Sequence, residues 1–263
     1  MFANRISTMG TEDALKVYPH ILKMQDEGKD VIRLNLSEPD FNIPSWIKEE
    51  IKKQVEDNNT FYCDPQGVKS FRDVIAKQMG DSRGLRISPE QVVVFPGSKP
   101  IIGFSQQVYC NPMDEVIYPS PGYSIYESFT KYVGAVPKPL FLKEEEGFAL
   151  NPKRLEEIIS PRTRLIFLNF PSNPTGVVPT RDELEAISEV ILKKCPPYIR
   201  VFSDEIYESI VFDGKPHLSI ASIPGMEKKT IIVGSVSKTF SWSGGRVGYA
   251  VFPTKEEALI FKD

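Results

Sequence analysis

The sequence has few of the residues that would point to metal-based or histidine-based catalysis. Its two histidines, His20 and His217, do not stand at a metal-ligand spacing from a cysteine or from each other. The three cysteines, Cys63, Cys110 and Cys195, are odd in number and far apart, which argues against a disulfide framework and suits a reducing compartment. We therefore expect no metal site, and a catalytic base that is a lysine, a tyrosine or a carboxylate.

Long apolar runs and blocks of one charge are also missing. No segment is apolar and long enough to cross a bilayer, and the N-terminal residues lack the apolar region of a signal peptide. Acidic and basic residues are intermixed and give a formal net charge of −3, so neither nucleic acid nor a membrane is an expected partner. No G-x-G-x-x-G motif follows the early strands, which disfavours a dinucleotide-binding enzyme. The absences predict a cytoplasmic protein whose partners are small molecules or other protein chains.

Helical and strand patterns alternate along the chain. PSWIKEEIKKQVEDN predicts an amphipathic helix, and NPKRLEEIIS predicts a second one, with Asn151 as its cap and Pro152 at its first position. A third begins at TRDELEAISEVILKK, where Thr180 and Glu183 form a capping box. The apolar runs QVVVFPG, RLIFLNF, YIRVFS and TIIVGS are typical of buried strands. This alternation predicts an α/β fold, with a mostly parallel central sheet and helices on both faces.

A polar cluster follows each of three predicted strands. RLIFLNF runs into PSNPTG, YIRVFS into DEIYE, and TIIVGS into VSKTF. Ligands of α/β sheets bind at the carboxyl ends of the strands. About one strand-helix-strand unit, which takes ~30 residues, separates Asn173 from Asp204 and Asp204 from Lys238. We therefore expect these three side chains to converge on one site.

An amide, a carboxylate, a tyrosine and a lysine in one site suit pyridoxal phosphate chemistry. A lysine in a dry site is a nucleophilic amine that can form a Schiff base, which predicts this role for Lys238. A carboxylate paired with the pyridinium nitrogen keeps the ring electron-withdrawing, and Asp204 is the candidate. Asn173 and Tyr207 could donate hydrogen bonds to the phenolic oxygen of the ring and stabilise it as an anion.

Donors for the cofactor's phosphate occur in two segments. FPGSKPII follows a strand and opens a helical segment, so backbone amides near Gly97 and Ser98 can approach an anion. SVSKTFSWSGGRVGYA offers the hydroxyls of Ser235 and Ser237, together with the guanidinium of Arg246. An arginine can bind a phosphate through two hydrogen bonds at once and is always charged.

These motifs resemble those of the fold type I, class I pyridoxal-phosphate aminotransferases, in particular the aspartate/aromatic branch. The resemblance runs from LNLSEPDFNIP through YCDPQG, PGSKP, YPSPGYSIY, NFPSNPTG and SDEIYE to SVSKTFSWSGGRVGYA, and it covers nearly the whole chain. It implies a transaminase that moves an amino group between an L-amino acid and a 2-oxo acid through a Schiff base on Lys238. It also implies a homodimer with shared active sites.

The resemblance assigns a role to each site residue. Lys238 matches the Schiff-base lysine and proton shuttle, and Tyr123 falls where an aromatic ring stacks on the cofactor. Tyr62 matches a tyrosine that reaches the phosphate of the other subunit. The remaining positions matched to the cofactor are Gly97, Ser98, Lys99, Asn173, Asp204, Tyr207, Ser235, Ser237 and Arg246. The positions matched to the substrate are Ser37, Asn173 and Lys99, and Lys99 would favour an acidic substrate side chain.

The chain departs from the family pattern in two places. Ser37 stands where a glycine is usual, and the C-terminal segment of the family's small domain, with its arginine for the substrate's α-carboxylate, is expected to be absent after ALIFKD. The resemblance makes residues 1–45 an N-terminal arm and part of an incomplete small domain, and residues 46–263 the large cofactor-binding domain. Two alternatives stay open: a pyridoxal-phosphate-dependent lyase or synthase of the same fold, and a truncated, non-catalytic paralogue that binds the cofactor.

Overall fold

In the computed structural model, which describes residues 2–10 and 13–262, seven strands form one central sheet. The strands are β1 (Val92–Phe95), β2 (Glu115–Ser120), β3 (Val136–Phe141), β4 (Thr163–Asn169), β5 (Arg200–Asp204), β6 (Thr230–Ser235) and β7 (Gly248–Val251). Their order is β1-β7-β6-β5-β4-β2-β3. Among these strands, β7 runs antiparallel to its two neighbours, β1 and β6, and all other neighbouring pairs are parallel. The predicted α/β fold with a mostly parallel sheet is therefore confirmed.

Helices connect the strands and cover the sheet. The α-helices of the described residues are α1 (Asp13–Lys16), α2 (Tyr18–Asp26), α3 (Ser45–Glu56), α4 (Lys69–Arg83), α5 (Lys99–Tyr109), α6 (Ile125–Tyr132), α7 (Pro152–Ile158), α8 (Arg181–Lys194), α9 (Val236–Thr239) and α10 (Lys255–Lys262). Short 3-10 helices lie at Asn4–Thr8, Pro89–Gln91, Glu144–Glu146, Ile220–Ser222, Met226–Lys228 and Ser243–Gly245. Within the described ranges, every helix is too short or too polar to cross a bilayer.

The predicted helix caps set where α7 and α8 begin. The side-chain oxygen of Asn151 accepts hydrogen bonds from the first turn of α7, and Pro152 occupies the first helical position. At α8, the Thr180 hydroxyl accepts from the backbone N–H of Glu183, whose carboxylate accepts from the backbone N–H of Thr180. Both caps satisfy N–H groups that a helix leaves unpaired at its start.

Alternate residues of the central strands pack into hydrophobic layers on the two faces of the sheet. On β4, Leu165 and Phe167 pack with α5, α6 and α10. The intervening residues Ile166 and Leu168 pack with α7 and α8. The helix α4 covers the same face as α7 and α8, but over β1, β6 and β7. This two-layer burial confirms the predicted helices on both faces and explains why the central strands are apolar almost throughout.

The N-terminal part of the chain contributes little to this core. Of the described residues, the first buried one is Ile47 in α3. Ile51 and Val55 follow Ile47 at helical spacing on the apolar face of α3, and both are exposed, Val55 by 61%. The helix pattern was therefore predicted correctly, while the described part of the chain covers only one end of its apolar face.

Candidate active site

A cavity of about 440 Å³ opens at the carboxyl edge of the sheet. Asn169, Asp204 and Ser235 are the last residues of β4, β5 and β6, which are neighbours in the sheet. Asn169 and Asp204 lie directly opposite each other in the register of β4 and β5. The sequence-predicted residues in the cavity wall are Ser37, Ser98, Lys99, Tyr123, Asn173, Asp204, Tyr207, Ser237, Lys238 and Arg246. The strand order thus brings together segments that are far apart in the chain.

Lys238 lies on α9, a single helical turn that follows β6 directly. Ser235 caps this turn, since its hydroxyl accepts a hydrogen bond of 3.0 Å from the backbone N–H of Ser237. The Lys238 amine donates to the backbone carbonyl of Ser37, and Nζ lies 5.8 Å from the centroid of the Tyr207 ring. The cap and the end of β6 therefore hold the lysine at the cavity, within reach of the N-terminal segment.

Asp204 is a buried carboxyl group, only 4% exposed, that faces the cavity. Its Oδ2 accepts a hydrogen bond of 2.8 Å from the Tyr126 hydroxyl, while Oδ1 lies 3.5 Å from the backbone nitrogen of Ile206. Within the described part of the chain, no ion pair involves this carboxyl group. Burial raises the pKa of Asp204 to about 6, although the Tyr126 hydrogen bond acts in the opposite direction. A cation at this point of the cavity would stabilise the ionised form.

Asn169 links the loop after β4 to the end of β5. Its Oδ1 accepts a hydrogen bond of 2.7 Å from the backbone N–H of Asn173, and its Nδ2 donates to the backbone carbonyl of Asp204 at 2.9 Å. The side chain is 2% exposed, so both contacts are shielded from water. One buried amide thus fixes two predicted cofactor residues relative to each other.

Positive charge and hydrogen-bond donors gather at another side of the cavity. The helix α5 begins at Lys99, and Ser98 precedes it in the cavity wall. Gly97 has a φ of 95°, and a Cβ at this position would overlap the guanidinium of Arg246. Arg246 donates a hydrogen bond of 2.7 Å to the backbone carbonyl of Ser243. Helix N–H groups and a guanidinium together are suited to an anion such as a phosphate.

Three predicted residues are not part of the cavity wall. Gly97 lies behind it, against Arg246. Ser235 is buried, with its Oγ 2.8 Å from the Oγ of Ser237 and 3.0 Å from the carbonyl of Val247. Tyr62 is fully exposed. Its predicted contact is with another subunit, so its role stays a prediction.

Sequence reasoning missed two residues that contact Asp204. Tyr126 follows Tyr123 by three positions at the start of α6, and the two rings pack edge to face with centroids 5.6 Å apart. This helical spacing is the signal that could have placed Tyr126 near the site. Asn169 is the last residue of β4, directly before the PSNPTG segment. Its position at a strand end was visible, but its contact with β5 was not.

Sequence reasoning placed Ser37 at the substrate, but it missed the contacts that hold the segment around Ser37 over one side of the cavity. The hydroxyl of Ser243 donates a hydrogen bond of 2.9 Å to the carboxylate of Glu38, and the hydroxyl of Ser241 lies 3.3 Å from the carbonyl of Pro39. Together with the contact between Lys238 and Ser37, these bonds fasten residues 37–39 to residues 238–243. The N-terminal segment is therefore part of the site.

The chain is similar to proteins of known activity. A family model described as "Aminotransferase class I and II" matches residues 29–260. An aspartate aminotransferase of Geobacillus stearothermophilus is 34% identical over 252 residues, which cover 95% of this chain and 63% of that enzyme. An aspartate/prephenate aminotransferase of Cereibacter sphaeroides is 37% identical over 229 residues, which cover 87% of this chain and 57% of that enzyme. The chain thus spans less than two thirds of the length of these relatives.

Solved structures are similar over the whole chain. The aspartate aminotransferase of Thermus thermophilus, solved with maleate, has a TM-score of 0.93 and 30% identity, and the match covers 100% of this chain and 67% of that one. The aspartate aminotransferase of Rhizobium meliloti has a TM-score of 0.92 and 31% identity, with 100% of this chain and 65% of that one covered.

Proposed function

This chain belongs to the class I and II aminotransferase family, and we propose that it moves an amino group between an L-amino acid and a 2-oxo acid with pyridoxal phosphate as cofactor. The observation that carries this proposal is that one cavity contains an amine, a buried carboxyl group and a guanidinium, from Lys238, Asp204 and Arg246. This set matches the aldehyde, the ring nitrogen and the phosphate of the cofactor.

The chemistry of the cavity fits this cofactor. Asp204 is buried, and among the described residues no ion pair involves it. A protonated ring nitrogen would supply the cationic partner that a buried carboxylate needs. Arg246, Ser237 and the first turn of α5 would hold the phosphate, and the missing Cβ of Gly97 leaves room for the guanidinium. Lys238 would hold the aldehyde carbon. When bound, pyridoxal phosphate supplies an electron sink for negative charge on the α-carbon of the amino acid.

The protein's own groups would bind, orient and move protons. Tyr207 and Asn173 would donate hydrogen bonds to the phenolic oxygen, while Tyr123 would pack on the ring. Lys238 Nζ would take the α-proton of the substrate and return it, since the described residues of the cavity wall include no histidine. The segment of residues 37–39 would exclude water from this side of the cavity.

We further propose an amino acid with an acidic side chain as a substrate. Lys99 is in the cavity wall, so its charge can attract a second carboxylate. The relatives are named for aspartate and for aspartate and prephenate, which supports the same substrate class. Ser37 and Asn173, also in the wall, would lie on the side of the substrate's α-carboxylate.

The relatives named above are aminotransferases, which does not favour a lyase, a synthase or a non-catalytic paralogue. The homodimer with Tyr62 at the partner's phosphate and the cytoplasmic location stay predictions. The division into residues 1–45 and 46–263 also remains a proposal. It is supported by the burial pattern, since Ile47 is the first buried residue among those described.

Cofactor binding is tested by visible absorption of the purified chain with added pyridoxal phosphate. We expect an absorption band that borohydride removes, with the reduced cofactor attached to the peptide that contains Lys238. Lys238→Ala should lack the band, whereas Lys215→Ala, which removes an exposed lysine, should retain it. A wild-type chain without the band, or a label on another lysine, would contradict the proposal.

Activity is tested by amino transfer from aspartate to 2-oxoglutarate, with release of pyruvate and ammonia measured in parallel. We expect transfer without release of ammonia, and a loss of roughly 10⁴-fold in Lys238→Ala because the proton-transfer group is gone. Release of ammonia as the main reaction would favour the lyase alternative.

A further inference from the structure

Arg83, at the end of α4, binds two carboxylates on the side of the sheet that α4 covers. Its Nη2 lies 2.5 Å from Oε2 of Glu205 and 2.6 Å from Oε2 of Glu208, and its Nε lies 3.2 Å from the same Glu205 oxygen. The side chains of Arg83 and Glu205 are only 3% and 2% exposed. We call these three residues the Arg83 clip, because one buried guanidinium holds both ends of the turn from Glu205 to Glu208.

Further donors hold Glu205 in its ionised form. The hydroxyls of Ser203 and Ser219 donate to Oε1 at 2.7 and 2.5 Å, and the ring of His217 donates to Oε2 at 2.9 Å. Burial by itself would raise the pKa of Glu205, but Arg83, His217 and Ser219 lower it to about 2. The carboxylate therefore links α4, β5 and the segment of residues 217–219 by contacts that last at any ordinary pH.

A metal ion is not the expected occupant of this cluster. Glu205, Glu208 and His217 do bring one donor atom each within 4.8 Å of one another. The guanidinium of Arg83, however, already binds both carboxylates, and its positive charge would repel a metal cation. A metal could enter only by displacing a buried arginine from two ion pairs.

The clip lies directly behind the proposed cofactor residues. Tyr207 stands between Glu205 and Glu208 in the chain and faces the cavity, while Asp204 precedes Glu205. The turn also has backbone hydrogen bonds, of 3.0 Å from Glu208 N–H to the Glu205 carbonyl and of 2.8 Å from Ile210 N–H to the Tyr207 carbonyl. A turn fixed at both ends leaves the residue between them little freedom to move.

We propose that Arg83, by binding Glu205 and Glu208 together, is a positioning residue that fixes Tyr207 against bound pyridoxal phosphate. The proposal rests on the proposed function above. Its consequence is that loosening the clip should weaken the hydrogen bond of Tyr207 to the phenolic oxygen. The Schiff-base nitrogen of Lys238, which would lie next to the phenolic oxygen, then becomes more basic, because the anionic oxygen is less stabilised.

The test uses Arg83→Lys, which keeps the charge but not the forked contact, and Glu208→Gln, which alters the less buried end of the clip. Arg86→Lys, an exposed position just after α4, is the matched control. The readouts are the dissociation constant of pyridoxal phosphate and the pH midpoint of its visible band. Both are measured where near-ultraviolet circular dichroism shows each variant to be folded.

We expect the midpoint to rise by about one pH unit and cofactor binding to weaken roughly tenfold in Arg83→Lys, the size of one lost hydrogen bond to a charged group. Glu208→Gln should move both values in the same direction by less, and Arg86→Lys should leave them unchanged. If Arg83→Lys does not fold, Glu208→Gln carries the test.

A double variant decides whether the clip acts through Tyr207. In a Tyr207→Phe background, Glu208→Gln should produce no further shift of the midpoint, because the hydroxyl that the clip positions is already absent. A full additional shift would overturn the proposal. An unchanged midpoint in a folded but less stable Glu208→Gln would overturn it as well and would make the clip purely structural, with the proposed function intact. Only a wild-type chain without the visible band would overturn both.

Discussion

Asp204 and Glu205 are neighbours in the chain and are both buried, yet their carboxyl groups lie on opposite faces of the sheet and have opposite pKa shifts. On the cavity side, burial raises the pKa of Asp204 to about 6, because a hydroxyl is its main partner. On the opposite face, Arg83, His217 and the Ser219 hydroxyl overcome the effect of burial and lower the pKa of Glu205 to about 2.

The two carboxyl groups differ in whether the described residues supply a cationic partner. Glu205 has a cationic partner and hydrogen bonds to both oxygens, as a buried carboxylate requires. Asp204 has hydrogen-bond donors but, within the described residues, no ion pair. A buried carboxyl group without a cationic partner is typical of a binding site, whereas a fully paired one is typical of the structural framework.

The largest effect on stability is expected for a substitution of Glu205. Glu205→Ala leaves Arg83 buried without its main partner, so the free energy of unfolding should fall by about 3–5 kcal/mol in chemical denaturation. Glu189→Ala, which removes an exposed carboxylate of α8, serves as the control and should change little. A loss below about 1 kcal/mol in Glu205→Ala would mean that the cluster does not hold the framework together.

We expect the Glu205 carboxylate to make the fold acid-labile. Because the pKa of Glu205 is lower in the folded state than its ordinary value of 4.5, its contribution is present above that value and is lost as the pH falls towards 2. Glu205→Gln should therefore show a flatter dependence of stability on pH in this range.

A change of intermediate size and opposite sign is expected on the cavity side. The pKa of Asp204 is raised, so the cofactor-free protein loses stability as the pH rises from the ordinary value of 3.8 through about 6. Asp204→Asn removes the buried charge. At about pH 8 it should stabilise the cofactor-free chain by on the order of 2 kcal/mol, with little change at about pH 4.

Thermal unfolding at both pH values measures this effect, and binding of pyridoxal phosphate should be lost in the same variant. An Asp204→Asn protein that is less stable than the wild type at the higher pH would show that Asp204 has a cationic partner inside the protein, and the contrast with Glu205 would disappear.

The smallest effect is expected for Tyr126→Phe, which sharpens the comparison by removing the hydroxyl that donates to Asp204. The variant should lose about 1 kcal/mol of stability, the usual value of one hydrogen bond. The pH at which Asp204 destabilises the cofactor-free protein should rise, because this bond holds the pKa down. Tyr132→Phe, on the same helix and outside the cavity wall, is the control. An unchanged pH profile would show that the bond does not tune Asp204.

Sequence reasoning reached the cavity wall because its residues stand in short motifs at strand ends. Asn173, Asp204 and Lys238 each follow an apolar run, and parallel neighbours place such ends at one edge. Tyr126 was missed, since its bond to Asp204 joins residues 78 positions apart. Arg83 was missed for the same reason, because it meets Glu205 across 122 positions.

The sequence alone determined the alternation of helices and strands, the caps at Asn151 and Thr180, and the family. Periodicity and capping depend on residues within a few positions of one another, and the motifs are short, so both are visible in one dimension. Only the tertiary structure decided that β4, β5 and β6 are neighbours, and that Asp204 and Glu205 titrate in opposite directions. A pKa follows from burial and from partners that folding brings in from distant parts of the chain.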